Sequence, residues 1–148
     1  MTTFVGTQNN FSKALEKLLE LEYEALEIYE TAINHIEDIN YKQGLVNAKN
    51  DHDKHITELS KILSDKEIEV PKGLGGTQWI TIRKLAIANL TGDKTILKTM
   101  IQAEEDTNTP YKRMNERLDK FKEAEKFLSL GLKDEIKHIT WLKQRVEN

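Results

Sequence analysis

The chain has 148 residues, 38% hydrophobic and 32% charged, with 22 basic against 25 acidic side chains and a formal charge of −3. That length suits one domain with a sizeable core, and the charge balance excludes the basic footprint of a nucleic-acid binder. The apolar runs are too short to span a bilayer, and the absence of cysteine removes disulfides, thiolate nucleophiles and sulfur-ligated metal sites.

The first residues, MTTFVGTQNNFSKAL, lack a basic region followed by a long apolar core. No signal peptide is expected there, and the cytoplasm is the expected location. Apolar residues then recur at helical spacing in four blocks, predicting helices over about 10–37, 38–64, 93–120 and 122–147. In the first, Phe11, Leu15, Leu18, Ala25, Tyr29, Ala32 and Ile36 form one stripe. Asp38 is placed to cap the second, whose stripe runs through Tyr41, Leu45, Ala48, Leu59 and Ile62.

A crossover over 65–92 follows. Its segment VPKGLGGTQW, with three of the seven glycines and one of the two prolines, must leave helical geometry. WITIRKLAIANL after it predicts a short extra helix packed across the bundle. Asp93 is placed to cap the third long helix, which carries Leu97, Met100, Ile101, Tyr111, Met114, Leu118 and Phe121 on its stripe. Pro110 inside it is expected to kink it. Ala124, Leu128, Gly131, Leu142 and Val146 mark the fourth. Two tight helical hairpins joined by one long crossover is an all-α, four-helix-bundle arrangement. Residues 1–148 are read as that single domain.

Each stripe is interrupted by a polar residue where an apolar one is due. Glu22 stands in the first, His52 and His55 in the second, Glu104 in the third, and Glu135 and His138 in the fourth. A lone carboxylate in a core seam costs several kcal/mol unless something pairs with it. Here three carboxylates and three imidazoles fall at matching heights. Glu22 lies fourteen residues before Ile36, the last of the first stripe, and His52 lies fourteen after Asp38 at the head of the second helix. The halves also repeat: Glu22 and Tyr29 recur as Glu104 and Tyr111 at an offset of 82, and His52 and His55 as Glu135 and His138 at 83. Without a metal the six groups would form a salt-bridged polar layer. With one, an all-N/O donor set suits iron, zinc or manganese.

Glu-x6-Tyr on one helix and Glu-x-x-His on the next resemble the di-iron carboxylate motifs of the ferritin-like superfamily, over about Phe11 to Val146. The chain is similar to small bacterial ferritin-like proteins, whose crossovers likewise carry glycine-rich sequence before a Gly-Asp helix start such as Gly92–Asp93. The resemblance implies a ferritin-like four-helix bundle holding two iron ions, with ferroxidase-like or peroxidase-like chemistry on dioxygen or peroxide. It implies Glu22 and Glu104 as terminal or inter-metal carboxylates, Glu135 as a bridge, and His55 and His138 as imidazole ligands. Tyr29 and Tyr111 would stand behind them, hydroxyls tied to neighbouring carboxylates.

His52 departs from the pattern, standing where the family places a glutamate. Three carboxylates against two ferrous ions leave a net charge of +1, so His52 is expected to be a terminal ligand or a spectator. The composition holds no electron-transfer partner domain of the sulfur-ligated kind, so a reductant would be a separate molecule; a homo-oligomer is allowed. Hydroxylation of an organic substrate would need a pocket beside the metals, and the sequence shows none. The alternative function is a non-catalytic helical module acting in stress or interaction through its surface.

Overall fold

The structure, a computed structural model of the chain, describes residues 4–73, 84 and 86–147. Among the described residues there is no β-strand, and four long helices are present: α1 (Phe11–His35), α2 (Ile39–Asp65), α3 (Asp93–Asn115) and α4 (Glu125–Glu147). α1 lies along α2 and α3 along α4 as two hairpins, which meet with α1 against α3 and α2 against α4. No helix among these residues is long and apolar enough to cross a membrane.

The helix starts follow from capping chemistry. Asn10 accepts a hydrogen bond from the Lys13 N–H (3.0 Å) at the head of α1. Asp38 accepts from the N–H groups of Asn40 and Tyr41 (2.8 and 3.0 Å) at the head of α2, as expected. Asp93 does not cap α3. Gly92, at φ 91°, holds the N-cap without a side-chain bond. The Asp93 carboxylate instead accepts from the N–H groups of Glu37 (2.9 Å) and Asp38 (2.8 Å), in the turn between α1 and α2. Those amides precede a helix and have no partner within it, so a carboxylate binds them favourably.

The expected helix ends shift as well. α3 stops at Asn115 rather than near 120, and α4 starts at Glu125 rather than 122. Two 3-10 turns, Leu118–Lys120 and Lys122–Ala124, occupy the gap, and Phe121 between them is fully buried in the core. Arg117 leaves helical geometry here (φ −131°), and its guanidinium donates to the carbonyls of Gly6 (2.8 Å) and Gln8 (3.2 Å). Pro110 does not end α3. Trp79 and half of WITIRKLAIANL lie outside the described residues, but Ile87 near its end is fully buried in the core.

The core is divided into two apolar clusters. One gathers Leu15, Leu18, Leu59, Leu63, Met114, Phe121 and Leu128; the other Ile28, Ala32, Leu45, Ile96, Met100 and Leu142. Along every helix the polar residues singled out above fall between these two groups.

One glycine on α4 shapes that middle layer. A Cβ on Gly131 would lie 2.3 Å from Cε1 of the fully buried Tyr111 ring. Alanine normally gains about 1 kcal/mol over glycine in a helix, whereas overpacking a rigid core costs roughly 1–3 kcal/mol. Gly131→Ala is therefore expected to lower the melting temperature, measured by circular dichroism; a rise would mean that the ring yields freely.

Candidate metal centre

Glu22 on α1, His52 and His55 on α2, Glu104 on α3, and Glu135 and His138 on α4 all meet in the layer between the apolar clusters. Each is at most 4% exposed. The amphipathic period that buries Leu18 and Leu59 turns these polar side chains inward too. Their ligand atoms fall into two groups: Glu22, His52, His55 and Glu135 form one, and His52, Glu104, Glu135 and His138 the other. Within each group the atoms lie within 4.8 Å of one another. His52 and Glu135 belong to both.

The contacts repeat across an approximate two-fold relation. Tyr111 Oη donates to Glu22 Oε1 (2.8 Å), and Tyr29 Oη donates to Glu104 Oε1. The expected ties between tyrosine hydroxyls and carboxylates are thus present, each reaching the other hairpin. His55 Nε2 bonds Asp134 Oδ2 (2.8 Å), and His138 Nε2 bonds Asp51 Oδ2 (2.8 Å). These two aspartates hold the histidine rings and leave each Nδ1 facing the carboxylates. The stripes do not reveal them, because each stands one position before a stripe residue. A signal existed: DHDKH at 51–55 and DEIKH at 134–138 share Asp, Lys and His at the same offset of 83.

His52 occupies the centre. Its Nδ1 lies 2.7 Å from Glu22 Oε2 and its Nε2 2.8 Å from Glu104 Oε1, so one nitrogen faces each group. Glu135 is placed differently. Its Oε1 stands 3.5 Å from His55 Nδ1 and 3.7 Å from His52 Nδ1, and its Oε2 3.9 Å from His138 Nδ1. Neither oxygen has a hydrogen-bond partner, and the same is true of Glu104 Oε2 and His138 Nδ1. An unsatisfied buried polar atom costs about 1–3 kcal/mol, and four of them converge here.

Ionisation follows the geometry. Burial pushes the Glu22 carboxyl up, but the charge and hydrogen bonds of His52 and His55 outweigh burial and bring its pKa to about 2. Glu104 is also held well below the usual carboxylate value, burial being overcome mainly by His52. Glu135 moves the other way: burial, reinforced by the negative charge of Glu104, lifts it well above its ordinary value. Burial disfavours a charged His52, yet Glu135, Glu22 and Glu104 raise its pKa well above that of a free imidazole. Burial likewise opposes charging His55 and His138, and is outweighed by Glu22 with Asp134 and by Glu104 with Asp51.

A pH profile for the metal-free protein follows. Glu22, depressed from 4.5, contributes stability above about pH 4.5 that is lost as pH falls toward 2. His55 and His138, raised from 6.5, contribute below about pH 6.5 and lose that contribution as pH rises through their shifted values. The melting temperature of chelator-treated protein is expected to peak between about pH 4.5 and 6.5. A profile flat from pH 4 to 9 would show that these ion pairs add nothing to the fold.

Other polar side chains on these helices are engaged outside the layer. Glu27 pairs with Lys84 (2.9 Å), and Glu105 faces Lys143 (3.9 Å). His35 in the last turn of α1 bonds the Thr31 carbonyl (2.8 Å).

No protein-family model and no curated protein matches the chain. Among solved structures it is similar to the crystal structure of a conserved hypothetical protein, rv2844, from Mycobacterium tuberculosis, with a TM-score of 0.73 and 15% sequence identity. The match covers 91% of this chain and 89% of that one, and at this identity the likeness concerns the fold of an all-helical bundle.

Proposed function

We propose that the buried cluster is a two-metal centre of the ferritin-like, di-iron carboxylate kind. The observation that carries this reading is the pair of four-residue groups joined through His52 and Glu135, with acceptor atoms that no protein donor satisfies. The donor chemistry fits the ions. Three carboxylates and three imidazoles, without sulfur, suit iron, zinc or manganese, and the resemblance to di-iron carboxylate motifs favours iron. Glu22 and His55 would hold one ion, Glu104 and His138 the other, and Glu135 would contribute to both.

Two iron ions bound there would supply activation of dioxygen or peroxide, giving ferroxidase-like or peroxidase-like turnover with electrons from a separate donor. The protein's own part is positional. Asp134 and Asp51 fix the ring orientation of His55 and His138, as outer carboxylates do for histidine ligands. Tyr111 and Tyr29 each hold one carboxylate of the other hairpin by a hydroxyl proton. The apolar clusters on either side bury the layer and strengthen its interactions.

The test is stoichiometry. Protein stripped with chelator, incubated anaerobically with Fe(II) or with Zn(II) and desalted, is expected to retain two ions per chain by elemental analysis. Retention of none, with an unchanged melting temperature, would reject the proposal. A second reading is then favoured by His52, whose two nitrogens bridge Glu22 and Glu104. A protonated His52 would serve as the internal cation of a structural polar layer, in a bundle that acts through its surface.

A further inference from the structure

The seam where α2 meets α4 is open. A cavity of about 240 Å³ lies there, bordered by Gly44, Asn47 and Ala48 on one side, by Lys137 and Trp141 on the other, and by the Asp51–His138 pair. His138 is its buried end, whereas Asn47 and Lys137 form an exposed rim. Small residues form one wall of the slot, since Gly44 and Ala48 stand one turn apart on α2. A Cβ on Gly44 would lie 1.9 Å from Trp141 Cζ2, so the indole rests directly on the α2 backbone. Two other clefts, of about 400 and 280 Å³, border none of the six clustered residues.

We propose that this slot binds a small, mainly apolar molecule carrying one hydroxyl or carbonyl oxygen, laid against the His138–Asp51 pair. The carbon body would meet Ala48, the Gly44 backbone and the Trp141 ring. Its oxygen would meet donors at the rim. Asn47 Oδ1 already accepts from Gln43 Nε2 (3.0 Å), which leaves the Asn47 amide nitrogen to donate, and the Lys137 ammonium stands opposite. A free dication is disfavoured here, since Lys137 is a cation and Asp51 Oδ2 is already engaged by Lys137 (2.9 Å) and His138 (2.8 Å). The volume falls below the roughly 300–1,000 Å³ of pockets for drug-sized ligands, so the ligand is small. His138 borders both the slot and the six-residue cluster. A role for the ligand as a substrate rests on the metal-centre reading; the binding itself does not.

Trp141 reports occupancy. In chelator-treated protein carrying Trp79→Phe, benzyl alcohol is expected to change Trp141 fluorescence saturably, with a dissociation constant on the order of a millimolar. Asn47→Phe, at an exposed position, is expected to block the slot and abolish the change, and Lys137→Met to weaken binding about three- to tenfold. If Trp79→Phe impairs folding, fluorine NMR of the wild-type sequence labelled with 5-fluorotryptophan resolves the two indoles and repeats the titration. No saturable change, an unaltered response in Asn47→Phe, or equal competition by inorganic phosphate would overturn the proposal. Protein that takes up two metal ions but ignores benzyl alcohol defeats the slot alone. Protein that binds benzyl alcohol but no metal defeats the metal reading alone.

Discussion

Glutamine in place of Glu135 is expected to strip both halves of the centre at once while leaving the metal-free fold as stable as before. Glu135 belongs to both ligand groups, so its loss weakens two ions rather than one. The drop in affinity should exceed the roughly 10–100-fold that outer-shell partners alone carry. In the metal-free protein the cost is small for a separate reason. The Glu135 carboxyl is pushed toward its neutral form by burial and by Glu104, and neither oxygen is hydrogen-bonded. A neutral amide of the same shape replaces it without stranding a partner. Zinc titration by calorimetry, paired with thermal melts in chelator, separates the two effects. Two ions still bound tightly would show that Glu135 is not shared. A melting temperature far below wild type without metal would instead favour the polar-layer reading.

His52→Glu should behave in the opposite sense: strongly destabilised alone and restored by metal. His52, whose pKa is raised by Glu135, Glu22 and Glu104 against the effect of burial, faces both Glu22 and Glu104. Removing one partner from a buried pair costs about 3–5 kcal/mol, and here the replacement adds a further carboxylate to the same layer. For a chain of this size each kcal/mol lowers the melting temperature by roughly 2–4 °C or more, so a fall of about 10 °C or complete unfolding is expected. Two divalent ions carry the charge that four carboxylates cancel, so Zn(II) or Mn(II) should return the melting temperature to that of wild type or above it. His52→Gln is the control, losing the cation without supplying the fourth carboxylate. Failure of metal to rescue His52→Glu, with Glu135→Gln also silent, would remove the ions from the account of this layer.

Much of this arrangement is legible from residue order alone. A helix buries one stripe, so any charged residue on that stripe must face the interior, and Glu22, Glu104 and Glu135 declare themselves that way. Depth is legible too, because tight hairpins force equal counts of residues from the turn to give equal heights. What the stripes do not reveal is what lies beside them. Asp51 and Asp134 read as solvent-facing positions, and only contact between helices brings each against a histidine of the other hairpin. The ends of α3 and α4 are set by Phe121 finding the core and by Arg117 binding the carbonyls of Gly6 and Gln8. The slot beside His138 is walled by the Trp141 indole packed on Gly44, and neither periodicity nor propensity records a contact of that sort between helices.

Asp93 sits eleven residues ahead of Glu104 on the same helix, and its carboxylate grips the turn that joins α1 to α2. Sliding α3 by one residue would carry Glu104 about 1.5 Å along the axis and swing it about 100° around it, enough to break its bond to His52. The longitudinal alignment of the second hairpin on the first is therefore held by this clip together with the packing of α3 on α1. A change in the number of residues in the connection over 65–92 that leaves Ile87 in the core and this clip closed would therefore leave the ligand geometry where it is.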